Sequence, residues 1–330
     1  MPQQSVPYAC ARISALSKGL LDQQTVKRMA EGSLEDAMRI LLDVRYGNIP
    51  DATPADCERM IDNVRIQTAA EIRELSPKPT ITDLFLLQTD IQNLKVLIKA
   101  RLLGGLSGVE LQAGGLIDRD TLLRAVSDQD YHCLPKTISE ALNALERQLK
   151  VEVVPQSVSI TLDRAYLQHA LLVAEQEKDA FASTYFKALC DFDNVITFLR
   201  MRATGAAREE LRNVYLPKGG IGLSELLAAY ELSADSLNHI LIESTARTAI
   251  AAGLAEMQQT GSIGALERQR DNYLLTLVKD HKHDMFSIYP VLGFLLARDR
   301  EAKAVRLIVT VKRNGLDDSV IQERLCELYG

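Results

Sequence analysis

The sequence predicts an all-α protein built from three similar helical units. Two kinds of observation support this. Nearly every long segment of the 330-residue chain carries apolar residues at helical spacing. One long helical stretch also recurs along the chain, and repeats of this length decide architecture. The only β-like run, VEVVPQSVS at 151–159, is too short and isolated to imply a sheet domain.

The recurring stretch is Asp83–Gly105, DLFLLQTDIQNLKVLIKARLLGG. Leu84, Leu87, Ile91, Leu94 and Ile98 alternate spacings of three and four and form one helical stripe. Leu86, Leu97 and Leu103 widen the stripe, so the helix is expected to be buried on more than one side. At 1.5 Å per residue it spans roughly 30 Å. Lys95, Lys99 and Arg101 lie near its C-terminus, where the helix dipole favours cations. Gly104 and Gly105 supply a left-handed cap.

Asp191, Asn194, Arg202 and Gly205 repeat Asp90, Asn93, Arg101 and Gly104 at an offset of 101 residues. The stripe returns as Tyr185, Ala188, Phe192, Val195 and Leu199. A weaker third copy has Glu301, Lys312 and Gly315 at an offset of 211. There Ala304 replaces the Asn, and Arg298 interrupts the stripe. Gly114-Gly115-Leu116 before DTLLRAV is echoed by Gly219-Gly220-Ile221 before LSELLAAY. The units are read as residues 1–130, 131–232 and 233–330, with pseudo-threefold or solenoid stacking.

In chain order, Tyr8–Leu21 is helical in pattern, with Ile13, Leu16, Leu20 and Leu21 on one side. Ser33 and Asp36 give a helix start; that helix runs to about Tyr46 and Gly47 closes it. A turn at Pro50–Pro54 leads to a helix over Ala55–Leu75, stopped by SPKP. After the first central helix comes a short helix, DRDTLLRAV. Pro135–Lys150 and Leu162–Lys178 are helices that precede the second central helix. Ser236–Met257 and Leu266–Val278 precede the third, and Asp317–Tyr329 closes the chain.

Formal net charge is −6, which argues against nucleic acid as the main partner, because affinity there comes from neutralising phosphates. The repeated stretches 83–105, 184–212 and 285–313 nevertheless hold 14 Lys/Arg against 8 Asp/Glu. They are basic within an acidic chain. The basic residues Arg200, Arg202, Arg208 and Arg212 form either a solvated face or the wall of a binding cavity. Five dispersed cysteines without a CxxC pair read as structural thiols in a reducing compartment. The N-terminus lacks a signal-peptide core, and no run approaches the roughly 20 apolar residues of a membrane span. A soluble protein is expected.

Catalytic signatures are missing. There is no GxxxxGK[ST], GxSxG or HExxH. His281 and His283 are two apart, so on a helix they point away from each other. Asp191 and Asp193 diverge for the same reason, and Asp191 has a repeat counterpart in Asp90. Asn93 and Asn194, mid-helix among apolar residues, read as buried amides bonded to backbone, since an unpaired one costs about 1–3 kcal/mol. No catalytic, metal or cofactor-binding residue is assigned.

YACARISALSKGLL at the start, FLLQTDIQNLKVLIKARLLGG in the middle and EAKAVRLIVTVKRNGLDDSVIQERLCELYG at the end resemble the C subunit of A-type and V-type rotary ATPases, relatives of the eukaryotic V-ATPase d subunit. The resemblance covers essentially the whole chain. Ala304 departs from it where the family usually has Asn, and Val195-Ile196-Thr197 where Leu-Lys is typical. It implies a funnel of three helical domains on the cytoplasmic face of a membrane proteolipid ring. The cavity of that funnel would receive the central stalk subunits D and F. It further implies a non-catalytic rotor part that couples ATP turnover to ion transport without a cofactor. The alternatives are an unrelated helical repeat scaffold that binds a peptide or helical partner, and an all-α enzyme with a metal site in a helical bundle.

Overall fold

A computed structural model describes residues 5–152, 154–232, 237 and 239–329. Among these the regular structure is helical throughout, and no strand occurs. The helices are α1 (Val6–Leu16), α2 (Gln23–Glu31), α3 (Leu34–Asp43), α4 (Cys57–Leu75), α5 (Pro79–Leu102), α6 (Arg119–Asp128), α7 (Lys136–Leu149), α8 (Pro155–Gln176), α9 (Ala180–Ala203), α10 (Leu211–Val214), α11 (Leu223–Ala229), α12 (Arg247–Thr260), α13 (Gly264–Lys279), α14 (Tyr289–Arg313) and α15 (Ser319–Arg324). The chain divides into two units: residues 1–82 with 271–330, and residues 83–270.

In the first unit, the beginning and the end of the chain share one core. Val26 and Met29 of α2, Ala37 and Leu41 of α3, and Met60 and Ile61 of α4 are buried with Val305 and Ile308 of α14. The start of α3 is fixed by the expected capping box. Asp36 N–H donates to Ser33 Oγ at 3.1 Å, and Ser33 N–H donates to Asp36 Oδ2 at 3.1 Å. A charge network braces α14. Arg300 donates to Asp271 at 3.1 Å, and Arg65 donates to Asp299 at 3.1 Å. Burial works to raise the Asp299 carboxyl, but the cations around it, Lys303 foremost, hold it down at about 2.

In the second unit, α7 packs on α8 and α8 on α9. Phe85, Tyr166, Phe181, Tyr185 and Phe186 interlock in edge-on, tilted and stacked pairs. Tyr166 is buried, and its hydroxyl donates to Leu84 O at 3.0 Å. Such a hydroxyl needs a partner once it leaves water.

Several expectations shift in detail. Helix α2 has no counterpart in the sequence pattern as read. Helix α8 begins at Pro155, so residues 155–159 are helical; Pro at the first helical position has no N–H to waste. Residues 240–246 run largely through turns, and α12 begins only at Arg247. The expected helix start at Ser236 lies outside the described residues, as does the unit boundary at Ser233. The stripe residues of α5 and α9 are buried, but Leu103 lies beyond the end of α5 and is 86% exposed.

Candidate functional site

The repeated residues gather along three long helices, and each set grips a loop. On α5, Asp90 Oδ2 accepts the N–H groups of Leu116 at 2.7 Å and Ile117 at 3.2 Å. One turn on, the Asn93 amide pairs with a single residue in both directions. Its Nδ2 donates to Gln112 O, and its Oδ1 accepts Gln112 N–H, each at 2.9 Å. The amide is buried, and both its ends are bonded to backbone. A Cβ on residue 115 would lie 2.0 Å from Asp90 Oδ1, so any larger residue there must push that buried carboxylate aside.

The second clamp, on α9, repeats the first. Asn194 exchanges the same two bonds with Leu216, each at 2.8 Å. Asp191 accepts Ile221 N–H at 3.0 Å and the Ser244 hydroxyl at 2.6 Å. A Cβ on Gly219 would fall 2.2 Å from Asp191 Oδ1. Burial pushes the Asp191 carboxyl up, against the pull of those hydrogen bonds. In each double-glycine loop one glycine passes close to the carboxylate, the second of the pair at 115 and the first at 219, while Gly220 is pressed on the backbone of Glu243.

The third clamp, on α14, is built differently. Glu301 is buried and accepts the N–H of Leu21 from the start of the chain. It also accepts Arg298 Nη1 at 2.8 Å. Leu21 ends the run Gly19-Leu20-Leu21, and Asp22 then caps α2 as Asp118 caps α6. Ala304 offers no amide. Burial raises the Glu301 carboxyl to about 7, which Arg298 only partly offsets. The Gly19–Leu21 partner is absent from the sequence reading. Its signal lies in SKGLLD against GGLID, and it emerges only when the repeat is followed from the chain's end back to its beginning.

All three helices end alike. Gly104, Gly205 and Gly315 have φ of 107°, 67° and 62°, the left-handed region that favours glycine. In each, the next residue's N–H reaches back five residues: Gly105 to Ala100 at 3.1 Å, Ala206 to Met201 at 3.0 Å and Leu316 to Val311 at 3.0 Å. These bonds recur at the sequence offsets and define a Schellman-type cap.

The basic residues are largely engaged within the protein. Arg101 Nη2 reaches both oxygens of Glu146 at 2.6 and 2.7 Å, and its Nη1 donates to Val126 O at 2.7 Å. Lys95 pairs with Asp163, and Lys99 donates to Ser159 at 2.8 Å. Lys312 lies 3.4 Å from Asp318. Arg200 is exposed and pairs with Glu267 at 2.5 Å, while Arg202 lies over the Phe198 ring at 5.5 Å. Arg208, in a short 3-10 helix that follows α9, and Arg212, in α10, are exposed.

Among the described residues, no group of three His, Cys, Asp or Glu side chains could hold a metal, and no helix is long and apolar enough to cross a membrane. His281 stacks on Tyr289 at 4.7 Å. Asp193 pairs with Arg270 at 2.8 Å, away from the partners of Asp191.

Long helices that share one terminal motif, each gripping a loop through a buried acid, define an all-helical internal-repeat protein. Comparison with known sequences narrows that class. The profile of the family described as ATP synthase (C/AC39) subunit matches residues 9–324, and the chain belongs to that family. It is 24% identical to the C subunit of the A-type ATP synthase of Methanocaldococcus jannaschii, covering 97% of this chain and 86% of that one. It is 22% identical to the C subunit of the V-type sodium ATPase of Enterococcus hirae, with 94% of each chain covered. A third relative, the C subunit of the A-type ATP synthase of Thermococcus onnurineus, is 25% identical over 98% of this chain and 89% of its own.

Proposed function

We propose that this chain is a non-catalytic central-stalk subunit of an A/V-type ATPase, joining stalk subunits D and F to the membrane proteolipid ring. In that place it couples ATP turnover to ion transport. The observation that carries this reading is the family match across residues 9–324. The lack of a phosphate-cradling loop in the sequence is consistent with it. The protein would then sit peripherally on the cytoplasmic face of the membrane, held there by the complex. Its three repeats, read as 1–130, 131–232 and 233–330, would stand about a pseudo-threefold axis, and the recurrence of the clamp and the glycine cap supports that reading.

Within this proposal, Arg200, Arg202, Arg208 and Arg212 meet the stalk. Arg208 and Arg212 are the better placed, because both are exposed, whereas Arg200 pairs with Glu267 and Arg202 lies over the Phe198 ring. Charge-steered contacts of this kind speed association and weaken with salt.

The test is ATP hydrolysis and ion uptake in vesicles that carry the complex with and without this subunit. Hydrolysis by the soluble head should continue without it, while ATP-driven uptake is lost. Uptake that persists at an unchanged ratio to hydrolysis would overturn the coupling role. Purification from the membrane without ring or stalk subunits would favour a general helical scaffold.

A further inference from the structure

The segment Leu325–Tyr329 has no regular structure of its own, yet it ties together three helices of the unit formed by residues 1–82 and 271–330. We propose that this segment is a strap that opens and closes while the helices beneath it stay folded, and that a slot in α14 at Gly293 is its catch.

The strap is held through its backbone by side chains from both ends of the chain. Glu327 N–H donates to Asn272 Oδ1 of α13 at 3.1 Å, and Leu328 N–H donates to Gln23 Oε1 of α2 at 3.0 Å. Leu328 O accepts from Lys279 Nζ, also of α13, at 3.2 Å. Two adjacent residues therefore bind the beginning of the chain to α13. Bonds of this kind are exchanged for bonds to water when the segment lifts, so each adds only modestly to closure.

Two side chains anchor the strap. Leu328 and Tyr329 are buried, whereas Glu327 is exposed and Leu325 and Cys326 are half-buried. Leu328 joins the core shared by α2, α3, α4 and α14. Tyr329 lies against Gly293, where a Cβ would fall 2.7 Å from Tyr329 Cζ, well inside contact distance. Glycine inside a helix is destabilising relative to alanine, so its presence within α14 calls for a local reason. The aromatic ring supplies one. Burial pushes the Tyr329 phenol up to about 12, so the ring occupies the slot uncharged.

The balance of these contributions makes the strap releasable. Closure gains the burial of two side chains and three hydrogen bonds, and it costs the backbone freedom of five residues. The opposing contributions are of similar size, so the closed form is favoured by a small margin. A segment with few buried contacts opens at its own free energy, below that of the core on which it lies. When it lifts, the tie between α2 and α13 is broken and the slot at Gly293 is uncovered.

The experiment is hydrogen–deuterium exchange of the full chain, read by mass spectrometry on peptides from 325–330 and from the middles of α4 and α14. Strap amides should exchange at least about tenfold faster than the helix amides, and at least about tenfold slower than a free peptide of the same sequence. Gly293→Ala drives a methyl group into the ring, and it should raise the ratio of strap to α4 exchange about tenfold. Gln23→Ala leaves the slot intact but removes one hydrogen bond, and it should raise the same ratio about threefold. Reading a ratio keeps the result clear of any change in global stability. Strap amides that exchange in step with α4 and α14 would mean that the segment opens only when the unit unfolds. Strap amides as fast as the free peptide would mean that it never closes. An unchanged ratio in Gly293→Ala would remove the catch. Each of these three results overturns the proposal.

Discussion

The clamps on α9 and α14 perform one task with different parts. On α9 a short acid and an amide, Asp191 and Asn194, hold a loop that follows their own helix. On α14 a longer acid, Glu301, reaches a loop made 280 positions earlier in the chain, and Ala304 leaves the amide's place to the apolar core. The difference shows which part is interchangeable. The carboxylate that accepts a loop N–H is kept in all three copies. The amide is kept only where the loop runs close enough to exchange two bonds with one residue.

The sharpest way to break this comparison is to remove the amide. Asn194→Ala strands Leu216 N–H and C=O in a buried place, and at about 1–3 kcal/mol per stranded group it should cost about 2–6 kcal/mol. Thermal or urea unfolding measures this. A loss below about 0.5 kcal/mol would show that the loop is held by its glycines and packing alone.

The next largest effect concerns charge. With its folded value near 7 against an ordinary 4.5, Glu301 binds a proton more tightly in the folded protein. Its contribution is therefore complete below about pH 4.5 and is lost as pH rises through 7. Across that window the loss is on the order of 2–3 kcal/mol. Glu301→Gln keeps an acceptor for Leu21 N–H, and it should flatten the stability profile between about pH 4.5 and 7. A profile of unchanged slope would mean that Arg298 neutralises the carboxylate more fully than its burial suggests.

Putting back the missing amide sharpens the comparison from the other side. Ala304 is 4% exposed among apolar neighbours. Ala304→Asn should destabilise by about 1–3 kcal/mol, because the new amide finds no loop peptide. A neutral or stabilising result would reveal a backbone partner equivalent to Gln112 and Leu216. The smallest stability effect belongs to Arg208→Glu with Arg212→Glu, expected within about 0.5 kcal/mol of the parent, since both residues are exposed. Stalk binding by this double variant should nonetheless weaken, and more so at low salt; unchanged binding would make these arginines an ordinary solvated face.

The central helices are legible in the sequence because their order is local. Stripe spacing, late cations and terminal glycines all lie within about 25 residues, a span in which helix geometry alone relates them. Asn93 and Asn194 stand out as amides among apolar neighbours. Their partners Gln112 and Leu216 do not, since nothing in either residue's identity marks a backbone group. The cations of α5 mislead for a similar reason. Lys95 meets Asp163 and Arg101 meets Glu146, acids on later helices that only the fold brings near. The start of α8 is hidden because VEVVPQSVS is rich in β-branched residues, a weak preference that packing overrides.

The shared core of the chain's first and last segments has a consequence for synthesis on the ribosome. Helices α2, α3 and α4 emerge early with Val26, Leu41, Met60 and Ile61 ready to pack, but Val305 and Ile308 that complete their core come from α14. At about 5–20 residues per second, the wait between them lasts on the order of 10–50 s. During that time the nascent chain displays a greasy, unfinished surface. Residues 83–270 form their own unit and need no such delay, so the middle of the polypeptide is poised to fold before its beginning does.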